Sequence, residues 1–347
     1  MNEAAADEAV RLALPAALEK AFGRPIAIAK TWRLGGGASK QAWAIDPEPA
    51  SHAPPLLLRR LGGGFLHDHT LSLGSELAVI RAAAASGILA PPTFGALLEV
   101  AGRDAFLMQR MPGEGVGRRI VQRDEFSAAR TQLPKQMGQS LAAIHQIKPS
   151  VLTELPLPRV QEAIAPRIIS RLEKKLDEAP EAHPAIEAGL AWLRRHLSES
   201  GAITPRDPVL VHGDFRLGNL LVDSTGLVTV LDWEFAHWGH PLEDLAWPLV
   251  RAWRFGQDHL RLGGVGTATA FLAAYNQAAG SDFTLKQLTW WEVAGNVRWA
   301  ITSLMQAKRH LSGAEPNVEL AVLGRLCSEV ELEILDLIME GAHARPT

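Results

Sequence analysis

The hydrophobic period of the chain changes at Met111-Pro112-Gly113, and that change constrains the fold more than any other feature. Upstream, apolar residues run in short bursts bounded by Gly and Pro. Residues 26–32, 41–45, 56–60, 96–100 and 105–110 read as strands. Val10, Leu12, Leu14, Leu18 and Phe22 give residues 8–22 a helical pattern, and a second helix over 71–85 is closed by Gly87. Downstream the pattern is mostly helical, over 126–147, 160–176, 183–197 and from 242 onward. Only the short strands 209–211, 220–222 and 228–231, with a turn at Ser224-Thr225-Gly226, interrupt it. The order is a small antiparallel sheet with one helix, a hinge near 108–113, then a helical region. The boundaries expected are 1–110 and 111–347.

A length of 347 residues suits two lobes rather than one core. The net charge of -3 gives no electrostatic reason to bind nucleic acid or an anionic membrane. No apolar run reaches the roughly 18 residues of a membrane span, and the acidic N-terminus lacks a secretory pattern. The single cysteine, Cys327, excludes an intrachain disulfide and suits a reducing compartment. A cytoplasmic protein is expected.

The segment Val211-His212-Gly213-Asp214-Phe215-Arg216-Leu217-Gly218-Asn219 carries the chemistry. A strand feeds a loop holding Asp214, Asn219 follows five residues later, and Asp232 ends the last apolar strand. Phosphoryl transfer needs such parts: a carboxylate to orient a hydroxyl and take its proton, and oxygen ligands for a divalent cation. His237, His240 and Glu243 fit no zinc spacing.

The run from Val211 to Trp247 resembles the aminoglycoside phosphotransferase / choline kinase-like family. That family shows H-G-D-x-x-x-x-N, an apolar hairpin, I-D-W-E, then G-x-P-x-x-D-L-A; here the chain reads V-H-G-D-F-R-L-G-N, V-L-D-W-E and G-H-P-L-E-D-L-A. The resemblance implies an α+β, bilobal protein-kinase-like fold and an enzyme that uses ATP and Mg²⁺ to phosphorylate a small-molecule hydroxyl. It makes Asp214 the base, Asn219 and Asp232 the Mg²⁺ ligands, and Asp244 a brace for the catalytic loop. His212 reads as a packed structural histidine. Arg216, Trp233, Glu234 and Trp238 are candidates for the substrate side, with Glu234 alternatively an acid that supports the site from behind.

Such a fold also needs a cover over the phosphates, a cation and an acid to hold it. Gly35, Gly36, Gly37 and Ser39 lie between the first two strands, where backbone N–H groups can approach phosphate. The cation is Arg59 or Arg60, because strand alternation lets only one face the cleft. Glu76 on the 71–85 helix is the acid expected to pair with it, and Gln109 and Met111 of the hinge would contact adenine.

The acceptor is less defined. No carboxylate-rich run suits a polycationic aminoglycoside, whereas aromatic side chains suit a choline-like cation. The tail over 309–338 resembles the family branch related to the kinase-like domain fused to some acyl-CoA dehydrogenases, which implies hydroxyacyl substrates, including CoA thioesters. Arg298, Lys308 and Arg309 on one helix would meet an anionic group or form a solvated face. A macrolide-type antibiotic kinase and a nucleotide-binding regulatory pseudokinase are the competing readings. Oligomeric state is not legible.

Overall fold

Apolar side chains four residues apart begin the fold. Val10, Leu14 and Leu18 lie along one face of α1 (Glu3–Phe22), and all three are buried. Leu12, counted on the same stripe from sequence, is 74% exposed. Two residues beyond Val10, the helix has turned its opposite face outward. This is a computed structural model, and it describes residues 3–35, 40–62, 70–153, 155, 163–179, 181–204 and 207–340.

The chain divides into two units. The first comprises Met1–Gly113, Ile147–Leu155 and Val228–Ala236. After α1 come β1 (Ile28–Arg33), β2 (Lys40–Pro47), β3 (Leu56–Leu61), α2 (Leu73–Ala85), β4 (Thr93–Val100) and β5 (Arg103–Gln109). They form an antiparallel sheet in the order β1-β2-β3-β5-β4, so β3 is central. Its burial alternates strictly, with Leu56, Leu58 and Arg60 on the covered face and Leu57, Arg59 and Leu61 on the other. The α1 stripe packs with Trp43, Ile45, Leu56, Leu58, Leu98 and Leu107 in one apolar cluster. Helix α2 starts at Ser72, whose hydroxyl accepts from the Ser75 N–H.

Residues 228–236 belong to this unit because main-chain bonds tie them to it. Val230 N donates to Leu89 O at 2.7 Å, and Leu71 N donates to Glu234 O at 2.8 Å. The Thr229 hydroxyl adds a bond to Leu89 O at 3.0 Å.

The second unit comprises Glu114–Gln146, Pro156–Leu227 and His237–Thr347. It holds α3 (Gly117–Gln122), α4 (Ser127–Ile144), α5 (Ile164–Leu176), α6 (Pro184–Arg195), β6 (Val209–Val211) and β7 (Leu220–Asp223). Strand β8 (Gly226–Val230) pairs with β7 around a turn where Asp223 Oδ1 accepts from Thr225 and Gly226 N–H groups. Then follow β9 (His237–Gly239), α7 (Pro241–Ala246), α8 (Ala268–Ala279), α9 (Leu285–Leu311) and α10 (Val318–Glu340).

Two differences from the sequence reading matter. Strand β6 pairs with the three-residue β9, a strand not expected from sequence. The helix expected from 242 stops at Ala246, and 3-10 turns run to Trp253, because Pro248 has no N–H to continue it. No helix among the described residues is long and apolar enough to cross a membrane.

Helix α1 approaches β4 at Gly95, where φ is +64° and an added Cβ would lie 2.6 Å from Ala21 Cα. Gly95→Ala should lower stability by about 2–3 kcal/mol. Gly87→Ala, at φ +77° with open space around it, should cost about 1 kcal/mol. Thermal unfolding of the two variants against wild type measures the difference.

Candidate active site

In the first unit, three carboxylates converge on two cations. Glu76 on α2 is 1% exposed. Its Oε2 lies 2.6 Å from Lys40 Nζ, and its Oε1 lies 2.7 Å from Arg59 Nε, the latter a charge contact rather than an aligned hydrogen bond. Arg59 Nη2 reaches Asp232 Oδ1 at 2.6 Å and Glu234 Oε2 at 3.1 Å. Lys40 Nζ also meets Glu234 Oε2 at 3.0 Å. Burial opposes the Arg59 charge, but Glu76, Asp232 and Glu234 outweigh it and hold the guanidinium above its ordinary pKa. Sequence left Arg59 and Arg60 open. Strand alternation sends Arg59 into this cluster, while Arg60 donates to the carbonyls of Val100 and Ala101.

Asp232 stands out in backbone conformation. Its φ and ψ are 63° and 62°, the left-handed region, without being glycine. Such a residue carries roughly 1–3 kcal/mol of strain, which clusters at functional positions. Trp233 beside it is fully buried, its indole N–H bonded to Val230 O at 3.2 Å. Gln109 ends β5 opposite Leu56 and donates its N–H to Pro92 O, and Met111 is half-buried just beyond. Gly35 is described, with open space around it. Gly36, Gly37 and Ser39 lie outside the described residues.

In the second unit, β6 delivers a loop whose main chain is fixed by one buried carboxylate. Asp244, fully buried on α7, accepts from His212 N at 2.6 Å (Oδ2) and Gly213 N at 2.9 Å (Oδ1). His145 Nε2 lies 3.2 Å from the same carboxylate, and its Nδ1 bonds the Tyr275 hydroxyl at 2.8 Å. Gly213 takes φ +82°, which a side chain would strain. The buried His212 ring accepts from Asp214 N at 3.2 Å.

Three donors then aim the Asp214 carboxylate. Trp247 Nε1 donates to Oδ1 at 2.6 Å, Arg216 Nε to Oδ1 at 3.1 Å, and Asn219 Nδ2 to Oδ2 at 2.6 Å. Asn219 Nδ2 also bonds Asp214 O at 2.9 Å. With its amide nitrogen so occupied, Asn219 turns its amide oxygen, a hard donor, away from that bond. Both arginines rest on indoles: Arg216 over Trp253 at 4.4 Å and Arg298 over Trp247 at 4.3 Å. Arg298 donates to Gly213 O, and burial with the charge of Arg171 depresses its pKa. Trp238 is 3% exposed on β9, within the interior.

Helix α7 is pinned at its start. His240 N donates to Glu243 Oε1 at 2.8 Å while the His240 ring accepts from Leu242 N, a reciprocal cap. His237 and Glu243 are thus an ion pair and a cap. Burial alone would raise the Glu243 pKa, but the His237 ring and the His240 N–H hold it at about 2 against an ordinary 4.5.

Sequence reading passed over Lys40, which nothing distinguishes from a solvated strand lysine, and gave Trp247 no specific bond. Glu234, expected either behind the site or on the substrate side, lies in the Arg59–Lys40 cluster.

The family model for APH, described as "Phosphotransferase enzyme family", matches residues 32–291. A Ralstonia eutropha JMP134 structure of the aminoglycoside phosphotransferase type superposes with TM-score 0.72 at 21% identity, covering 95% of this chain and 98% of that one. Aminoglycoside phosphotransferase APH(4)-Ia, in ternary complex with AMP-PNP and hygromycin B, gives 0.62 at 16% identity over 96% and 100%. Plasmodium vivax ethanolamine kinase gives 0.56 at 11% identity over 87% and 82%. Mouse acyl-CoA dehydrogenase family member 10 is 28% identical over 229 residues, which are 60% of this chain and 20% of that protein. Mouse family member 11 is 28% identical over 152 residues, 42% of this chain and 18% of that protein. The chain therefore spans about a fifth of the length of these curated relatives. The fold is α+β and protein-kinase-like. The chain belongs to the phosphotransferase enzyme family.

Asp244→Asn should leave one of the two loop N–H groups without an acceptor and cost about 2–3 kcal/mol, read as a lowered urea midpoint. A pH effect follows from Glu243 and Asp244, both held below their ordinary values. A depressed carboxyl stabilises above its unfolded pKa, and that stability is lost as pH falls through the folded one. Melting temperature should therefore drop as pH falls from 4.5 toward about 2, and Glu243→Gln should flatten the slope.

Proposed function

We propose that the chain transfers the γ-phosphoryl group of ATP to the hydroxyl of a hydroxyacyl compound presented as its CoA thioester. The observation that carries the chemistry is the Asp214 carboxylate, aimed by Trp247, Arg216 and Asn219 on a loop fixed by Asp244. The carboxylate orients the acceptor hydroxyl and takes its proton as the oxygen–phosphorus bond forms. Asn219 and Asp232 present hard oxygen atoms, which fit Mg²⁺. Bound there, the metal would neutralise charge developing on the phosphoryl oxygens. In the first unit, Arg59 meets the phosphates and Glu76 holds it. The Gly35 turn supplies main-chain N–H groups to them, and Gln109 and Met111 take the adenine.

The acceptor class rests on the similarity to acyl-CoA dehydrogenase family members 10 and 11. The cations beside Asp214 agree with it. Arg216 and Arg298 flank the carboxylate's surroundings, which repels a polycationic aminoglycoside and suits an acceptor with anionic groups.

An ADP-release assay with Mg-ATP over hydroxyacyl-CoAs, aminoglycosides, choline and ethanolamine tests the assignment. Turnover is expected with a hydroxyacyl-CoA; turnover only with an aminoglycoside or an amino alcohol would replace that acceptor. Asp214→Ala should reduce kcat by about 10²–10⁴-fold with ATP affinity retained. Unchanged turnover in that variant would remove Asp214 from the role of base.

A further inference from the structure

Two cations reach Glu76, and they are not equivalent. The side chain of Lys40 is 2% exposed. Lys40 Nζ donates to Glu76 Oε2 at 2.6 Å and to Leu71 O at 3.3 Å, and lies in charge contact with Glu234 Oε2 at 3.0 Å. Three protein oxygen atoms so placed around a nearly inaccessible ammonium leave it turned away from a ligand. Arg59 is 15% exposed. It spends Nε on Glu76 and Nη2 on Asp232 and Glu234, and among the described residues Nη1 makes no hydrogen bond. A guanidinium with one amino group uncommitted can still donate to phosphate.

Charge sharpens the contrast. Three carboxyl groups, Glu76, Asp232 and Glu234, face two cations, Lys40 and Arg59, an excess of one carboxyl group. Without Lys40 the excess would be two, and Glu76 and Glu234 would share Arg59 alone. Buried carboxylates deprived of a partner draw in whatever cation is near. The cation they would draw in is the one whose remaining donors a phosphate needs.

We infer that Lys40 is a positioning residue for the nucleotide site: it saturates Glu76 and Glu234 so that Arg59 keeps its outer amino group for phosphate. This rests on the kinase reading above and adds a division of labour to it. Lys40, at the first position of β2, acts through the carboxylates and does not touch the nucleotide. Arg59, on the central strand, makes the contact.

Calorimetric titration of Mg-ATP into the full chain tests the division. The set is wild type, Lys40→Met, Lys40→Arg, Glu234→Gln and the double variant Lys40→Met/Glu234→Gln. Lys40→Met should weaken ATP binding about tenfold or more, and KM for ATP should rise more than kcat falls. Lys40→Arg, which keeps the charge, should recover most of the loss. The double variant restores the charge count and should bind within about threefold of Glu234→Gln. If Lys40 touched phosphate directly, the double variant would stay as weak as Lys40→Met, and the inference would be overturned. Wild-type affinity in Lys40→Met would overturn it as well. Should Lys40→Met fail to fold, the charge-balanced double variant decides by the same comparison. A wild-type chain that binds no ATP would sink the kinase reading itself. Binding by wild type with no effect of Lys40 sinks only this inference.

Discussion

The loop of the second unit depends on one carboxylate with no access to water. Asp244 accepts from two consecutive main-chain N–H groups, at His212 and Gly213. Burying such a charge costs several kcal/mol unless hydrogen bonds replace its hydration. Those N–H groups, with His145 behind them, supply the replacement and in return lose their own freedom. Once His212 and Gly213 are set, Asp214 follows on the chain. Trp247, the residue that follows α7, donates its indole N–H back to the Asp214 carboxylate. A single short helix and the residue at its end thus fix both the main chain of the loop and the side chain that it carries. The reciprocal cap between His240 and Glu243 determines where that helix starts.

The first unit uses the same physics with the signs distributed differently. Glu76 is nearly inaccessible; burial pushes its carboxyl pKa up, and Lys40 and Arg59 lying against it oppose that push. Those contacts extend to Asp232 and Glu234, which enter the unit by main-chain bonds to Leu89 and Leu71. The strained conformation of Asp232 is held by these neighbours on both sides in sequence: Val230 bonded to Leu89 and Trp233 packed without exposure. Strain of that kind persists only where the surroundings over-determine it. Here they do so around a carboxylate still 31% exposed.

Much of this was legible in the sequence for identifiable reasons. The strand alternation of residues 56–60 told which arginine turns away from the α1 side, once a sheet existed to define the sides. The run from Val211 to Trp247 combined glycine, paired carboxylates and an apolar hairpin in one order, and a signal of that density survives without knowing any contact. Lys40 was not legible, because its role comes from carboxylates 36 and 194 positions away, and residue type alone makes a lysine a surface residue. Strand β9 escaped notice because three residues, His237, Trp238 and Gly239, have too little pattern to declare a strand. The stop of α7 at Ala246 was visible in Pro248, a breaker two residues on, and the apolar residues beyond it concealed the break.

If these residues handle a metal–nucleotide, the Asp232 carboxylate is a group on which the effect of Mg²⁺ must depend. Asn tolerates the left-handed backbone that Asp232 adopts, so Asp232→Asn removes the charge while keeping the conformation. ATP affinity should be measured for wild type and Asp232→Asn, each with Mg²⁺ in excess and with Mg²⁺ chelated. Mg²⁺ should tighten ATP binding to wild type and have little effect on the variant. Equal tightening by Mg²⁺ in both proteins would remove Asp232 from the metal site.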